Sequence, residues 1–435
     1  MASNAEHGDL IVQLAGAVGT PFWVYDAARV EAQIARLRGF DVIRYAQKAN
    51  SNLELLRVMR RNGVLVDAVS LGEIERAQAA GYRAGPGAED AEHDEIVFTA
   101  DIIDRPTLAK VVELNIPVNC GSPDMVDQIA AASPGHRIWL RVNPGFGHGH
   151  SNKTNTGGPF SKHGIWHEDL PDLASRIRAS GLDLVGLHMH IGSGVDYEHL
   201  ERVGDAMVDA YRALGLPIRA ISAGGGLSVP YRDGAQEIDA DHYTGTWEAA
   251  RRTIQQSQGA PVSLEIEPGR FLTAAAGSLV AEIRAVKRVA DRHFVIVDAG
   301  FNDLARPAMY GSYHRIAFLR ADGTPVTGQT ADVAVAGPLC ESGDVFTQGE
   351  AGVVQFRSMP LPAVGDLCVF ADAGAYGAAM SSNYNSRPLI PEVVVDRGVA
   401  RLARRRQTMA DLLALEEGAD LALDLPVRRP NSAAG

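Results

Sequence analysis

Between residues 42 and 268 the chain alternates short, β-branched apolar runs with longer stretches of helical periodicity, and this alternation restricts its fold more than any other feature. The runs are Val42–Lys48, Leu65–Ser70, Ile96–Ala100, Ile116–Cys120, Arg137–Asn143, Leu184–His190, Ile218–Ala223 and Val262–Glu267, eight in all. Helical patterns such as Leu53–Arg61, Leu71–Ala80 and Tyr197–Leu214 separate them. Eight strands joined by crossover helices are the ingredients of a TIM-type (β/α)8 barrel, which takes roughly 250 residues. With 435 residues there is room for a second domain. After Gly269 the pattern changes to short strands between Gly and Pro turns: Phe294–Asp298, Asp332–Ala336, Val353–Phe356, Leu367–Ala371 and Glu392–Val395. This predicts a C-terminal β-sandwich or β-barrel domain. The expected division is a barrel over residues 22–272, a β domain over 273–421 that an element from 1–21 can join, and a flexible tail over 422–435.

Composition narrows the function classes. The chain is 46% hydrophobic and 22% charged, and no apolar run approaches the roughly 20 residues that a membrane span needs. Met1–Ala15 has no basic leader, and its apolar stretch is broken by Asp9 and Gln13, so the cytoplasm is expected. Cys120, Cys340 and Cys368 lie far apart with no C-x-x-C pair, which argues against a disulfide framework or a zinc ribbon. A formal net charge of −12 opposes non-specific nucleic-acid binding. The basic run Arg401, Arg404, Arg405 and Arg406 reads as a solvated face.

In this barrel class, functional residues sit at the C-terminal ends of strands. Here those ends carry Lys48, Asp67 with Ser70, His188 with His190, Gly224–Gly226, and Glu267 with Arg270. A lysine there is either snorkelling or desolvated toward Schiff-base reactivity. The glycine run, with Ser193, is either a tight turn or a backbone cradle for a phosphate. Glu267 is suited to a pyridine nitrogen or to a salt bridge with Arg270. The two histidines share a face of one strand, so a zinc pair competes with an imidazole stacked on a cofactor, although no third metal ligand stands at a recognisable spacing. The polar, glycine-rich segment 145–158 is expected to be a loop that closes over the mouth, or else a passive surface loop.

Ordered motifs extend this reading over nearly the whole chain: Tyr45–Ala49, Val69–Glu75, His188–Ser193, Glu267–Arg270, Arg306–Tyr310 and Cys340–Asp344. With these the sequence resembles the diaminopimelate decarboxylases, enzymes of fold type III that use pyridoxal 5'-phosphate. The resemblance implies a head-to-tail homodimer with active sites at the subunit interface, acting on the small molecule meso-diaminopimelate; charge, hydropathy and ligand spacing lead one to expect no nucleic-acid, membrane or metal partner beside it. It implies that Lys48 holds the cofactor covalently, with Asp67 nearby. His190 would stack on the ring and Glu267 would face its nitrogen, in a motif that includes Gly269 and Arg270. Ser193, Gly224, Gly225, Gly226 and Tyr376 would hold the phosphate. Lys162 would pair with Asp344 of the partner subunit. Asn50 departs from the pattern, close relatives carrying cysteine there.

The substrate has an amino-acid head at each end, so a site gripping one head must also meet an ammonium and a carboxylate at the other. Arg270, Arg306, Tyr310 and Tyr376 suit the distal carboxylate, arginine by its two-pronged donor fork. Glu341, supplied across the dimer in the family, would receive the ammonium. Cys340 would deliver a proton after carbon dioxide leaves, or else is a small buried apolar residue. The expected reaction is decarboxylation to L-lysine. The rivals are a same-fold decarboxylase of ornithine, arginine or a carboxylated polyamine, which Arg306 would repel; a racemase; and an inactive binding protein.

Overall fold

The computed structural model describes residues 8–85, 93–147, 156–190, 192 and 197–417. Strands are numbered β1 to β18 in chain order. Eight of them form the barrel: β2 (Val42–Ala46), β3 (Leu65–Ala68), β4 (Ile96–Ala100), β5 (Val118–Cys120), β6 (Arg137–Asn143), β8 (Asp183–His188), β9 (Ala220–Ser222) and β10 (Ser263–Ile266). They pair in parallel in the order β5-β4-β3-β2-β10-β9-β8-β6, and β5 pairs with β6 to close the ring. The two-residue β7 (Ile165–Trp166) adds to β6 outside it.

Local chemistry sets where the helices start. Asn52, Ser70, Asp104 and Ser122 each turn a side-chain oxygen onto a backbone N–H of the following helix, so the βα loops after β2, β3, β4 and β5 end in a cap. Ser70, at the end of the second predicted run, thus caps helix Leu71–Ala79, and Glu73 reaches back to the N–H of Val69 at 2.9 Å.

The second domain is a nine-stranded sheet in the order β15-β14-β12-β11-β1-β17-β18, with β16 pairing both β11 and β13. Its members are β1 (Phe22–Asp26), β11 (Gly277–Val289), β12 (Arg292–Val297), β13 (Ile316–Leu319), β14 (Thr330–Ala336), β15 (Arg357–Pro360), β16 (Leu367–Phe370), β17 (Glu392–Asp396) and β18 (Val399–Arg404). The first part of the thirteen-residue β11 pairs with β1 and β16. From Ile283 on it pairs with β12, with a register shift between Ile283 and Ala285.

Three expectations change here. Phe22–Asp26 belongs to this sheet, between β11 and β17, and not to the barrel expected from residue 22; an apolar run carries no mark of which sheet will pair with it. Helix Gly8–Val18 covers the same sheet, burying Ile11 and Leu14 against Phe22, Val280 and Val369, at about 1.5–3 kcal/mol per fully buried side chain. Val353–Phe356 makes only an isolated bridge from Val354 to Gln348, and the strand runs instead over Arg357–Pro360. The basic run is also partly structural, because Arg406 donates to the carbonyls of Gly19, Thr20 and Pro21. The tail at 422–435 lies outside the described residues.

Beside the domain boundary the backbones pack where side chains would not fit. A Cβ on Gly277 would stand 2.3 Å from the Cα of Gly374, and one on Gly374 would stand 2.0 Å from the carbonyl oxygen of Thr273. Gly374 also accepts from Asn50 Nδ2 at 3.1 Å, tying the turn that holds Lys48 to the second domain. Gly374→Ala is expected to lower stability by about 1–3 kcal/mol, the usual cost of overpacking, read as a lower midpoint in thermal or urea unfolding. An unchanged midpoint would show that this contact is not tight.

Candidate active site

The carboxyl ends of the barrel strands open into a cavity of about 610 Å³ that the second domain roofs with Arg306, Tyr310 and Tyr376. Lys48 projects into it from a 3-10 turn, Gln47–Ala49, that follows β2. The same turn is clamped to the roof, since the N–H of Tyr376 donates to the carbonyl of Ala49 at 2.7 Å. Tyr376 takes a left-handed backbone conformation, φ 57°, to make that contact.

One wall is acidic and buried. Glu267 follows β10 and is 7% exposed. Its Oε1 accepts from Ser222 Oγ at 3.0 Å, and its Oε2 lies 2.8 Å from His188 Nε2 in a close charge contact without hydrogen-bond alignment. Burial opposes ionisation, but His188 and the Ser222 hydroxyl outweigh it and hold this carboxyl at about 2. Asp67, at the end of β3, goes the other way: burial first and the nearby Glu267 charge second push it well above the usual carboxylate range. Its Oδ1 has no hydrogen-bond partner among the described residues. The two carboxyls are thus set apart by their surroundings, one anionic and one prone to hold a proton.

His190 accepts from the N–H of Gly225 through Nδ1 at 3.1 Å, which places its proton on Nε2. Burial, then the charges of Arg141 and Lys48, push its pKa well below the ordinary 6.5, so the ring stays neutral. The glycine run is required by space. A Cβ on Gly224 would meet Met189 O at 2.3 Å, one on Gly225 would meet Glu267 O at 2.6 Å, and one on Gly226 would meet Gly192 O at 2.1 Å. Gly224 and Gly226 also have positive φ, 60° and 100°. A Cβ on Gly269 would stand 3.2 Å from Ala46 O and Ala49 Cβ, a tighter contact than usual, so this glycine lets the Glu267–Arg270 segment lie close against the Lys48 turn.

The opposite wall is cationic. Arg270 donates to Tyr231 Oη at 2.8 Å and lies over the Tyr376 ring at 5.0 Å. Arg306 is 5% exposed, lies 4.9 Å from the Tyr231 ring centroid and donates to His314 Nε2 at 3.0 Å. Among the described residues neither guanidinium has a carboxylate within ion-pair distance, so the alternative reading of Glu267, a bridge to Arg270, is absent and Glu267 faces His188. Two uncompensated cations, one buried and one half-buried, make a site for an anion.

The cavity therefore gathers Lys48, Asp67, His188, His190, Gly225, Gly226, Glu267, Gly269, Arg270, Arg306, Tyr310 and Tyr376. Ser193 lies outside the described residues, as do 148–155 of the glycine-rich loop. The ends of that loop are pinned by Asn143, whose Oδ1 accepts from Gly145 at 3.1 Å and Gly158 at 2.9 Å. Cys340 and Glu341 do not line the cavity of their own chain and are both exposed, so Cys340 is not the buried apolar residue of its alternative reading. Asp344 is buried, its two oxygens accepting from Phe301 and Leu339, whereas Lys162 is exposed. Asn50 is buried beneath the Lys48 turn and accepts from Asn52 N–H while it donates to Gly374. Sequence reasoning missed Tyr231, His314, Arg141 and Ser222. Arg141 and Ser222 are on predicted strands and could have been found by marking every polar residue near a strand end, but nothing in the sequence singles out the other two.

The residues fit pyridoxal phosphate. An amine, an ionised carboxylate and a backbone cradle that admits no Cβ stand around one cavity large enough for a cofactor and a small substrate. Comparison with known proteins agrees. Residues 28–274 match the family described as pyridoxal-dependent decarboxylase, pyridoxal binding domain. The chain is 63% identical over 413 residues to the diaminopimelate decarboxylase of Streptomyces coelicolor, covering 95% of this chain and 93% of that one. It superposes on a crystal structure of diaminopimelate decarboxylase with a TM-score of 0.90 at 60% identity, covering 93% and 96% of the two chains. The Helicobacter pylori diaminopimelate decarboxylase complexed with L-lysine gives a TM-score of 0.81 at 29% identity, covering 93% and 98%.

The Glu267 environment has a measurable consequence. A carboxyl held below its ordinary 4.5 in the folded chain stabilises the fold above that pH, and the contribution is lost as pH falls toward about 2. The difference in unfolding free energy between wild type and Glu267→Gln, from urea titrations across pH, should be level above 4.5 and shrink below it. A difference that grows on acidification would contradict the ionised state of Glu267.

Proposed function

This chain belongs to the diaminopimelate decarboxylases, and on that footing we propose that its cavity removes one carboxylate from meso-2,6-diaminopimelate to give L-lysine and carbon dioxide, the last step of bacterial lysine biosynthesis. The observation that carries the substrate assignment is the pair of guanidiniums in the cavity wall, Arg306 buried and Arg270 half-buried, with no carboxylate of the described residues to meet them. A substrate whose far end is only a cation, as in ornithine or arginine, leaves those charges uncompensated, whereas diaminopimelate brings a second carboxylate.

Bound on Lys48, pyridoxal phosphate supplies an electron-withdrawing ring that takes up the electron pair left when carbon dioxide departs. The residues of the chain prepare that event. Lys48 holds the cofactor aldehyde, with Asp67 beside it. The Glu267 carboxylate keeps a proton on the ring nitrogen, which needs the ionised state that His188 and Ser222 secure. His190, kept neutral by burial, would lie against the ring without adding a competing positive charge. The N–H groups of Gly224, Gly225 and Gly226, with Ser193 and Tyr376, hold the phosphate, and Gly269 keeps the Glu267–Arg270 segment close enough to reach it. Arg270, Arg306, Tyr310 and Tyr376 grip the distal carboxylate, fixing which end of the substrate reacts.

The site is completed by a second copy of the chain. Cys340 and Glu341 are exposed on a loop that Asp344 braces from within, away from their own cavity, which supports their delivery to the partner's site in a homodimer. There Cys340 Sγ gives the proton that replaces carbon dioxide and Glu341 receives the distal ammonium, while Lys162 meets Asp344 of the partner subunit. All three cysteines are free thiols, and no described helix is long and apolar enough to cross a membrane, both of which suit a reducing cytoplasm.

Lys48→Ala is expected to lose both activity and the yellow absorption band that borohydride bleaches in the wild type; full activity in this variant would overturn the assignment of Lys48. Mixing Lys48→Ala with Cys340→Ala, each nearly inactive alone, should restore part of the rate, because mixed dimers then hold one intact site. No recovery after subunit exchange is verified would refute shared sites.

A further inference from the structure

Arg306 is the deepest cation of the roof, and a residue that does not itself line the cavity fixes its direction. His314 is 1% exposed and lies in the loop between helix Arg306–Tyr310 and β13. Its Nδ1 is 3.0 Å from the carbonyl oxygen of Ala371, just beyond β16, and its Nε2 is 3.0 Å from Arg306 Nη1. A carbonyl can only accept and a guanidinium can only donate, so the two partners dictate the tautomer: Nδ1 carries the hydrogen and Nε2 presents a lone pair to Arg306. We infer that His314 is a positioning residue for the distal carboxylate of the substrate, aiming Arg306 while leaving its charge intact.

The choice of imidazole over carboxylate is the core of this inference, which rests on the proposed role of Arg306. An aspartate or glutamate at this position would orient the guanidinium equally well and cancel the charge that has to attract the substrate. A neutral acceptor orients without cancelling. Burial, and after it the charge of Arg306, push the imidazole down to about 3, so it remains neutral throughout the working range of any ordinary enzyme. Tyr231 plays a parallel part for both cations. Its hydroxyl accepts from Arg270 at 2.8 Å, its ring lies 4.9 Å from Arg306, and the His314 ring meets it edge-on at 5.7 Å and 80°. The two guanidiniums therefore share a support built only from neutral groups, anchored to the second sheet through Ala371. This resembles the outer partners of metal-bound histidines, which set direction and electron density without touching the reacting atoms.

The test uses the cofactor-loaded enzyme and two ligands, L-lysine, which keeps one carboxylate, and 1,5-diaminopentane, which has none. Their inhibition constants are measured together with KM and kcat for diaminopimelate and the cofactor absorption band. His314→Leu removes the acceptor at similar bulk. It is expected to weaken L-lysine about tenfold or more, raise KM by a larger factor than it lowers kcat, and leave 1,5-diaminopentane and the band unchanged. His314→Gln, which places a neutral amide acceptor at comparable reach, should recover most of the loss. His314→Glu supplies a check that needs no apolar replacement, since a carboxylate facing Arg306 should abolish the preference for L-lysine over 1,5-diaminopentane. Equal weakening of both ligands, or L-lysine binding unaffected in the Leu and Glu variants, overturns the inference. Arg306→Met separates the two claims. If it weakens L-lysine while His314→Leu does not, only the positioning role fails; if it too leaves L-lysine binding unchanged, the reading of Arg306 as the carboxylate anchor fails.

Discussion

A charge taken out of water must be matched by something else, and the architecture of this chain follows from two different answers to that requirement at opposite walls of one cavity. At the barrel wall the match is internal. Glu267 is buried but held ionised by His188 and Ser222, which are fixed at the ends of neighbouring strands β8 and β9. At the roof the match is withheld. Arg270 and Arg306 are oriented by a phenol and an imidazole, neither of which neutralises them. On the proposed roles the first arrangement would serve a permanent cofactor and the second a transient substrate, which accounts for one wall being charge-compensated and the other not.

Both walls depend on how the barrel meets the second domain. Beside the boundary, within the second domain, Gly277 and Gly374 bring two backbone segments closer than any side chain would allow, and Asn50 and Tyr376 tie the Lys48 turn to the roof. Lys48 and Arg270 of the barrel and Arg306 of the second domain are thereby held in one frame. Without that junction the barrel would present a lysine and a carboxylate to an open mouth, with no means of choosing among amino acids.

The barrel was legible because its strands are buried on both faces and bounded by helix caps, so apolar runs and capping residues mark them in the sequence. Lys48, Asp67, His190 and Glu267 were legible for a related reason: a polar residue at the end of an apolar strand is conspicuous. The β domain was less so. β11 shares its length between two sets of partners, and β1 is a short apolar run whose place depends on β11 and β17, both remote in the chain. His314 and Tyr231 were hidden altogether. Their roles come from contacts across loops, and no periodicity or spacing distinguishes a histidine that accepts from Arg306 from one that faces solvent.

The most direct test of the account is incubation of the purified, cofactor-loaded protein with meso-diaminopimelate, following carbon dioxide and L-lysine together, with ornithine and arginine in parallel. Equal amounts of carbon dioxide and L-lysine from diaminopimelate, and no gas from the other two, is the predicted result. Carbon dioxide from ornithine or arginine and none from diaminopimelate would contradict the reading of the uncompensated guanidiniums as the anchor for a second carboxylate.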